Sequence, residues 1–235
     1  MEFKKNIKNR YWVFCLITVF ICFFLGYILL ASLDKIVYPT IEELYNSIYT
    51  VYTEFGMLIF PVLVIQNFSN DYKNKNILFY KLMGYSPMKY FLNKAIVSFC
   101  FLSGATLCGI LIVNLVYMNF SNFLIIVLYF EYVLLYQVLL FCLWGFLFKS
   151  VILGYVVNFS YWLISIIIST LSNNLSFFAR YDAANKVYLD FAEYLRTYNS
   201  NYLYIWGNLL YSLAMTILVM AIVFVFRKRW DKNGI

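Results

Sequence analysis

The sequence predicts an all-α, polytopic membrane protein of one domain, residues 1–235, that crosses the bilayer six times. Three observations predict it. The 235 residues are 64% hydrophobic and only 12% charged, where a soluble domain carries about 25%. No water-soluble fold of this length hides that much apolar surface. Cutting the chain at its charges leaves six apolar runs, each near the ~20 residues a helix needs to cross a ~30 Å core. The basic residues also segregate to one side of those runs, as expected when both termini are cytoplasmic.

The amino terminus carries Lys4, Lys5, Lys8 and Arg10 ahead of the first apolar run. A cleavable export signal has an apolar core of about 7–15 residues, and the run Tyr11–Leu33 is longer, so it reads as a retained span. Phe3, Ile7 and Tyr11 recur every four residues with lysines between them. That pattern predicts a short helix lying along the inner interface before span one.

The remaining spans are Ile48–Phe68, Ala95–Met118, Phe123–Phe148, Val151–Leu171 and Tyr204–Phe226. In lipid they must be helical, because an isolated strand would leave its backbone groups unpaired. The second is the least regular. It contains Glu54 and Pro61, and Tyr45–Tyr52 blur its outer end.

With both ends inside, the inner segments hold Lys4, Lys5, Lys8, Arg10, Lys73, Lys75, Lys81, Lys89, Lys94, Lys149, Arg227, Lys228, Arg229 and Lys232. These are 14 of the 18 basic residues. Only Lys35, Arg180, Lys186 and Arg196 remain outside. The net charge of +7 is thus explained by topology and calls for no nucleic-acid partner.

Absences narrow the chemistry. There is no histidine, so a histidine-assisted nucleophile or histidine-ligated zinc is excluded. No glycine precedes a lysine, so a GxxxxGK[ST] phosphate loop is absent. All five cysteines fall inside spans without metal-ligand spacing, which suits small packing residues. No catalytic residue and no cofactor of this chain's own is expected.

Residues 71–94 form the one extended polar segment on the inner side. Phe79, Leu82 and Met83 lie on one helical face, Gly84 follows where a helix C′ residue is needed, and Ser86-Pro87 reads as an N-cap with proline at N1. The prediction is a helix over Asp71–Met83, a tight break, and a second helix running through Lys94 into span three. Such a helix either anchors the loop at the interface or docks another protein.

The topology and this loop resemble the permease subunit of a type-two ABC transporter. Members of that family place an acidic residue after span two, then a leucine-rich helix, a proline-led restart and a basic residue entering span three. Asp71, Leu78 and Leu82, Ser86-Pro87 and Lys94 occupy those places. Asn74-Lys75-Asn76 stand where the family commonly has a glycine-threonine pair after its acidic residue. The resemblance implies that the loop is a coupling helix seated in a groove of an ATPase. Phe79, Leu82, Met83 and Tyr85 would form the apolar knob on the helix that carries Leu78. Lys75, Lys81 and Lys89 would pair with acidic residues at the groove edge or with lipid phosphates, and Pro87 would restart the chain. It implies two copies of a separate ATPase chain, which would carry the ATP and Mg²⁺. It also implies a second permease, identical or homologous, a bacterial plasma-membrane location, and a hydrophobic or antimicrobial peptide, or a lipid-like molecule, as cargo for export or self-immunity.

Two carboxylates lie within spans, Glu54 about six residues and Glu131 about eight from the outer ends, roughly 9–12 Å deep at ~1.5 Å per residue. Intramembrane charge marks pathways by default. Glu54 either lines a path or reaches water at the interface. Glu131, beside Tyr132 and Gln137, either lines a polar permeation surface or accepts a hydrogen bond from a neighbouring tyrosine. Other functions stay open: an ion-coupled carrier using both carboxylates, or a membrane scaffold or sensor subunit. Finally, residues 172–201 form an outer segment in which Val187, Phe191, Tyr194, Leu195 and Tyr198 share a face. That periodicity predicts an amphipathic outer helix.

Overall fold

The computed structural model describes residues 2–36, 38–171 and 177–234. Among the described residues all regular structure is helical. The longer elements are α1 (Glu2–Lys8), α2 (Tyr11–Ser32), α3 (Ile41–Glu54), α4 (Gly56–Lys73), α5 (Asn76–Leu82), α6 (Pro87–Tyr117), α7 (Phe123–Leu147), α8 (Val151–Leu171), α9 (Lys186–Thr197), α10 (Ile205–Val225) and α11 (Arg227–Gly234). Five of them, α2, α6, α7, α8 and α10, are each long and apolar enough to cross a membrane. The pair α3–α4 passes the same test together, with a 50° bend between its halves. The chain is a multi-pass membrane protein.

The second crossing departs most from expectation. It begins at Ile41 rather than Ile48, because Thr40 and Glu43 form a reciprocal capping box there. It breaks at Phe55, not at Pro61. A proline inside a helix strips the carbonyl four residues earlier of its donor, here that of Met57. The Asn158 amide of α8 donates to that carbonyl at 2.8 Å, and α4 runs through Pro61 unbroken. At the actual break, Gln137 of α7 donates to the carbonyls of Tyr52 (2.9 Å) and Thr53 (3.3 Å). Those belong to the last turn of α3, where helix geometry leaves carbonyls without intrahelical donors. Gly56 sits tight against the same amide, since a Cβ there would meet Gln137 Nε2 at 3.0 Å.

Around this bent crossing, α7 forms the centre of the bundle and is packed by α4, α6, α8 and α10. Its buried residues run all round the helix, from Ile126 to Phe146, as expected of a helix with neighbours on every side. The outer helix α9 is present, and its Val187, Phe191, Tyr194 and Leu195 are buried. Phe191 stacks on Tyr129 at 4.1 Å and lies 4.7 Å from Tyr49. So α9 is wedged between α3 and α7 instead of lying flat on the surface. Tyr198, expected on the buried face, is 48% exposed as the left-handed C-cap residue. Residues 172–176 of the predicted outer segment lie outside the described residues.

At the opposite end, α1, α5 and α11 gather around the last turns of α4 and the first turns of α6. Both termini therefore share one end of the bundle with the polar loop between the second and third crossings. Because α1 and α11 also bring most of their charges there, this is the basic end.

Candidate functional site

The basic end is organised by buried charge. Asp71, in the last turn of α4, and Lys94, in α6, have fully buried side chains and pair at 2.7 Å. Lys94 also pairs with Glu2 of α1 at 3.1 Å and donates to Asn67 Oδ1 at 2.7 Å. Lys5 of α1 pairs with Asp71 as well. The Asn76 amide donates to Asp71 Oδ1 at 2.9 Å, and the Tyr90 hydroxyl to Oδ2 at 3.2 Å. Two acids and two bases thus cancel, and Asp71 accepts from α1, α5 and α6 at once. Burying ions is tolerable only with such pairing. The consequence is mechanical: four elements are bolted at one carboxylate.

The α1 helix fits this cluster with a reversed polarity. Its polar Glu2 and Asn6 face inward, whereas Phe3 and Ile7 are exposed. The short amphipathic helix expected at the interface thus turns its apolar face outward and its polar face to the charge cluster.

From this anchor the loop projects as a rigid unit. The single helix expected over Asp71–Met83 is two pieces, because Lys75 adopts a left-handed conformation between α4 and α5. Tyr85 N–H bonds to Tyr80 C=O at 3.0 Å and Gly84 N–H to Lys81 C=O at 2.9 Å. Gly84 has φ 73°. This is a Schellman termination, closed by Tyr80 and Tyr85 with ring centroids 5.5 Å apart. Ser86 then caps α6, accepting from Lys89 N–H at 3.3 Å, with Pro87 as its first residue. A single helix of 31 residues continues from that proline through the third crossing.

On α5, Ile77 and Tyr80 are buried while Leu78, Phe79, Leu82 and Met83 point outward. Leu82 is 87% exposed and Phe79 51%. Tyr85 packs at the turn beneath the Lys89 ammonium, 4.7 Å from its ring. Lys81, assigned by sequence to a partner's edge, instead pairs at 2.5 Å with Asp231 of α11. Trp230 of α11 is buried against Tyr90, 5.6 Å between centroids. The helix α11 therefore braces α5. Sequence reading missed it, although the lone tryptophan in Arg227–Lys232 was the available signal.

The four residues expected along a path separate into three places. Glu54 and Gln137 share a narrow cleft with Trp162, Tyr181 and Asp182, with room for about one water molecule. There the Glu54 carboxylate accepts from the Ala183 N–H at 2.8 Å and the Trp162 indole at 3.2 Å. It staples the bend of the second crossing to α8 and to the outer segment. Glu131 faces α6 and accepts from Ser103 at 2.7 Å, so its donor is a serine and not a neighbouring tyrosine. The Tyr132 hydroxyl donates to the Ile205 carbonyl at 3.3 Å, joining α7 to α10. Among the described residues no group of His, Cys, Asp or Glu could hold a metal ion.

No solved structure matches this chain. The profile of the peptide export permease protein YydJ family matches residues 1–235. A probable peptide export permease protein YydJ of Bacillus subtilis (strain 168) is 34% identical over 242 residues, covering 100% of this chain and 99% of that protein. A helical bundle with five or six membrane-crossing segments, similar over its whole length to such a protein, belongs to the YydJ family of peptide export permeases.

Proposed function

We propose that this chain is the membrane half of an ATP-driven exporter, expelling a hydrophobic or antimicrobial peptide from a bacterial plasma membrane for export or self-immunity. The energy would enter from a separate ATPase chain that binds ATP and Mg²⁺, two copies of it acting on a pair of permeases. One observation carries the reading. Leu78, Phe79, Leu82 and Met83 stand exposed on a helix whose root, Asp71, is locked by buried charge to the second and third crossings. Exposed apolar side chains on a rigid projection form a docking knob, and burying two of them contributes on the order of a few kcal/mol. Closure of the docked partner would tilt α6 directly, since that helix starts five residues beyond the end of α5.

The ion-coupled reading has no shared site to draw on, because Glu54 and Glu131 lie on different faces of the bundle and each carboxylate is held by a protein donor. The deciding experiment is copurification with the ATPase expressed alongside, using Leu82→Asp with Met83→Asp. Loss of the ATPase with an unchanged melting temperature supports the proposal. Retention of the ATPase by the double variant, or peptide export that survives ATP depletion, counts against it. Capture without substrate-stimulated hydrolysis would leave a scaffold.

A further inference from the structure

We propose that the cleft between α1, the first turn of α2 and the inner half of α4 binds the main chain of the exported peptide as it leaves the inner leaflet. This rests on the peptide-export reading above and adds to it a site and a mode of recognition.

The cleft is lined by five carboxamides, Asn6, Asn9, Gln66, Asn67 and Asn70, and is open on one side, with about 210 Å³ of accessible space. The decisive residue is Asn67. It is 9% exposed, and its Oδ1 accepts from Lys94. Its buried Nδ2 has no hydrogen-bond partner. A buried amide donor is expensive to leave unmade, and this one belongs to the lining of the cleft. Gln66 and Asn70 are exposed at the rim, and among the described residues neither side chain has a partner.

The lining also selects a ligand class. No lysine or arginine lines the cleft. Lys94, which donates to Asn67, is already matched by Asp71 and Glu2, and Lys5 by Asp71. A lipid phosphate offers only acceptors and calls for cationic donors. A carboxamide offers a donor and an acceptor together, the complement of a peptide unit with its N–H and C=O. Phe14 and Leu63 close the lipid-facing side, where apolar side chains of the same peptide would rest. Occupancy would also be felt at the coupling helix, because Asn67 holds Lys94, Lys94 holds Asp71, and Asp71 holds Asn76 of α5.

The test uses the full chain in phosphatidylcholine nanodiscs and a fluorescein-labelled, acetylated and amidated peptide of alternating leucine and serine, with fluorescence anisotropy as readout. A second probe carries the same side chains on an N-methylated main chain. The parent chain should bind the unmethylated probe about tenfold more tightly than the methylated one, as expected for two hydrogen bonds of ordinary strength. The double variant Gln66→Leu with Asn70→Leu should lose most of that discrimination, the rest being kept by Asn67, while holding its melting temperature, since both side chains are exposed. Asn9→Ala, on the opposite wall, should weaken the unmethylated probe alone. Absence of binding by the parent chain, equal affinity for the two probes, or displacement by phosphatidylglycerol with no effect of methylation would overturn the site. Loss of ATP-driven export with peptide binding intact would instead count against the functional reading on which the site rests.

Discussion

Lys94 persists without exposed surface because Asp71, Glu2 and Asn67 together surround its ammonium. Lys94→Met removes one member and leaves Asp71 and Glu2 short of a counter-charge, so it should destabilise the protein by about 3–5 kcal/mol, read as a lowered unfolding temperature in detergent. Adding Asp71→Leu should recover part of that loss, because an apolar pair of similar volume no longer strands a buried charge. If the two losses simply add, the charges are not coupled. Leu82 is the converse case. With 87% of its surface exposed, Leu82→Asp should change stability by no more than about 0.5 kcal/mol while cutting retention of the ATPase in a pull-down.

Elements transmit what single residues hold. The bend of the second crossing is kept by donors from elsewhere: Gln137 on the carbonyls of Tyr52 and Thr53, and Asn158 on that of Met57. Gln137→Leu leaves the first pair unsatisfied, which should cost about 1–3 kcal/mol. Faster amide exchange would appear at residues 55–58 and not at α5. At the basic end, α11 braces α5 through Trp230 and the Lys81–Asp231 pair. An exposed ion pair contributes only about 0–1 kcal/mol, so the buried indole is the main attachment. Trp230→Ala should release α11, raising proteolysis between α10 and α11 and lowering substrate-stimulated ATP hydrolysis. Asp231→Asn alone should do neither.

At the scale of the molecule, the bundle places α1, α11 and the loop that carries α5 at one end and α9 at the other. The basic residues predict that the first end is cytoplasmic. In a variant whose five native cysteines are replaced, Lys186→Cys should react with a membrane-impermeant maleimide in intact cells, and Lys75→Cys only after permeabilisation. The reverse pattern would invert the topology and with it the route by which an ATPase could reach the knob.

Much of this architecture was readable in one dimension. Four of the long helices end within one residue of their apolar runs, α6 starts eight residues ahead of its run at Pro87, and Gly84, Ser86 and Pro87 take the turn and cap positions their chemistry predicts. The outward knob at Phe79, Leu82 and Met83 was legible from helical spacing. The bend was not, because Pro61 is the stronger local signal and only Asn158, far along the chain, repairs it. Nor were the inward-facing Glu2, the brace of Trp230, or the separation of Glu54 from Glu131. Apolar length, charge asymmetry and capping are determined by the sequence itself, since each depends on residues within a turn or two of one another. Which carbonyl is rescued, which ion is paired and which face of α1 turns inward were decided by tertiary structure alone, because in a low-dielectric interior a polar group's fate depends on the partner that folding brings to it.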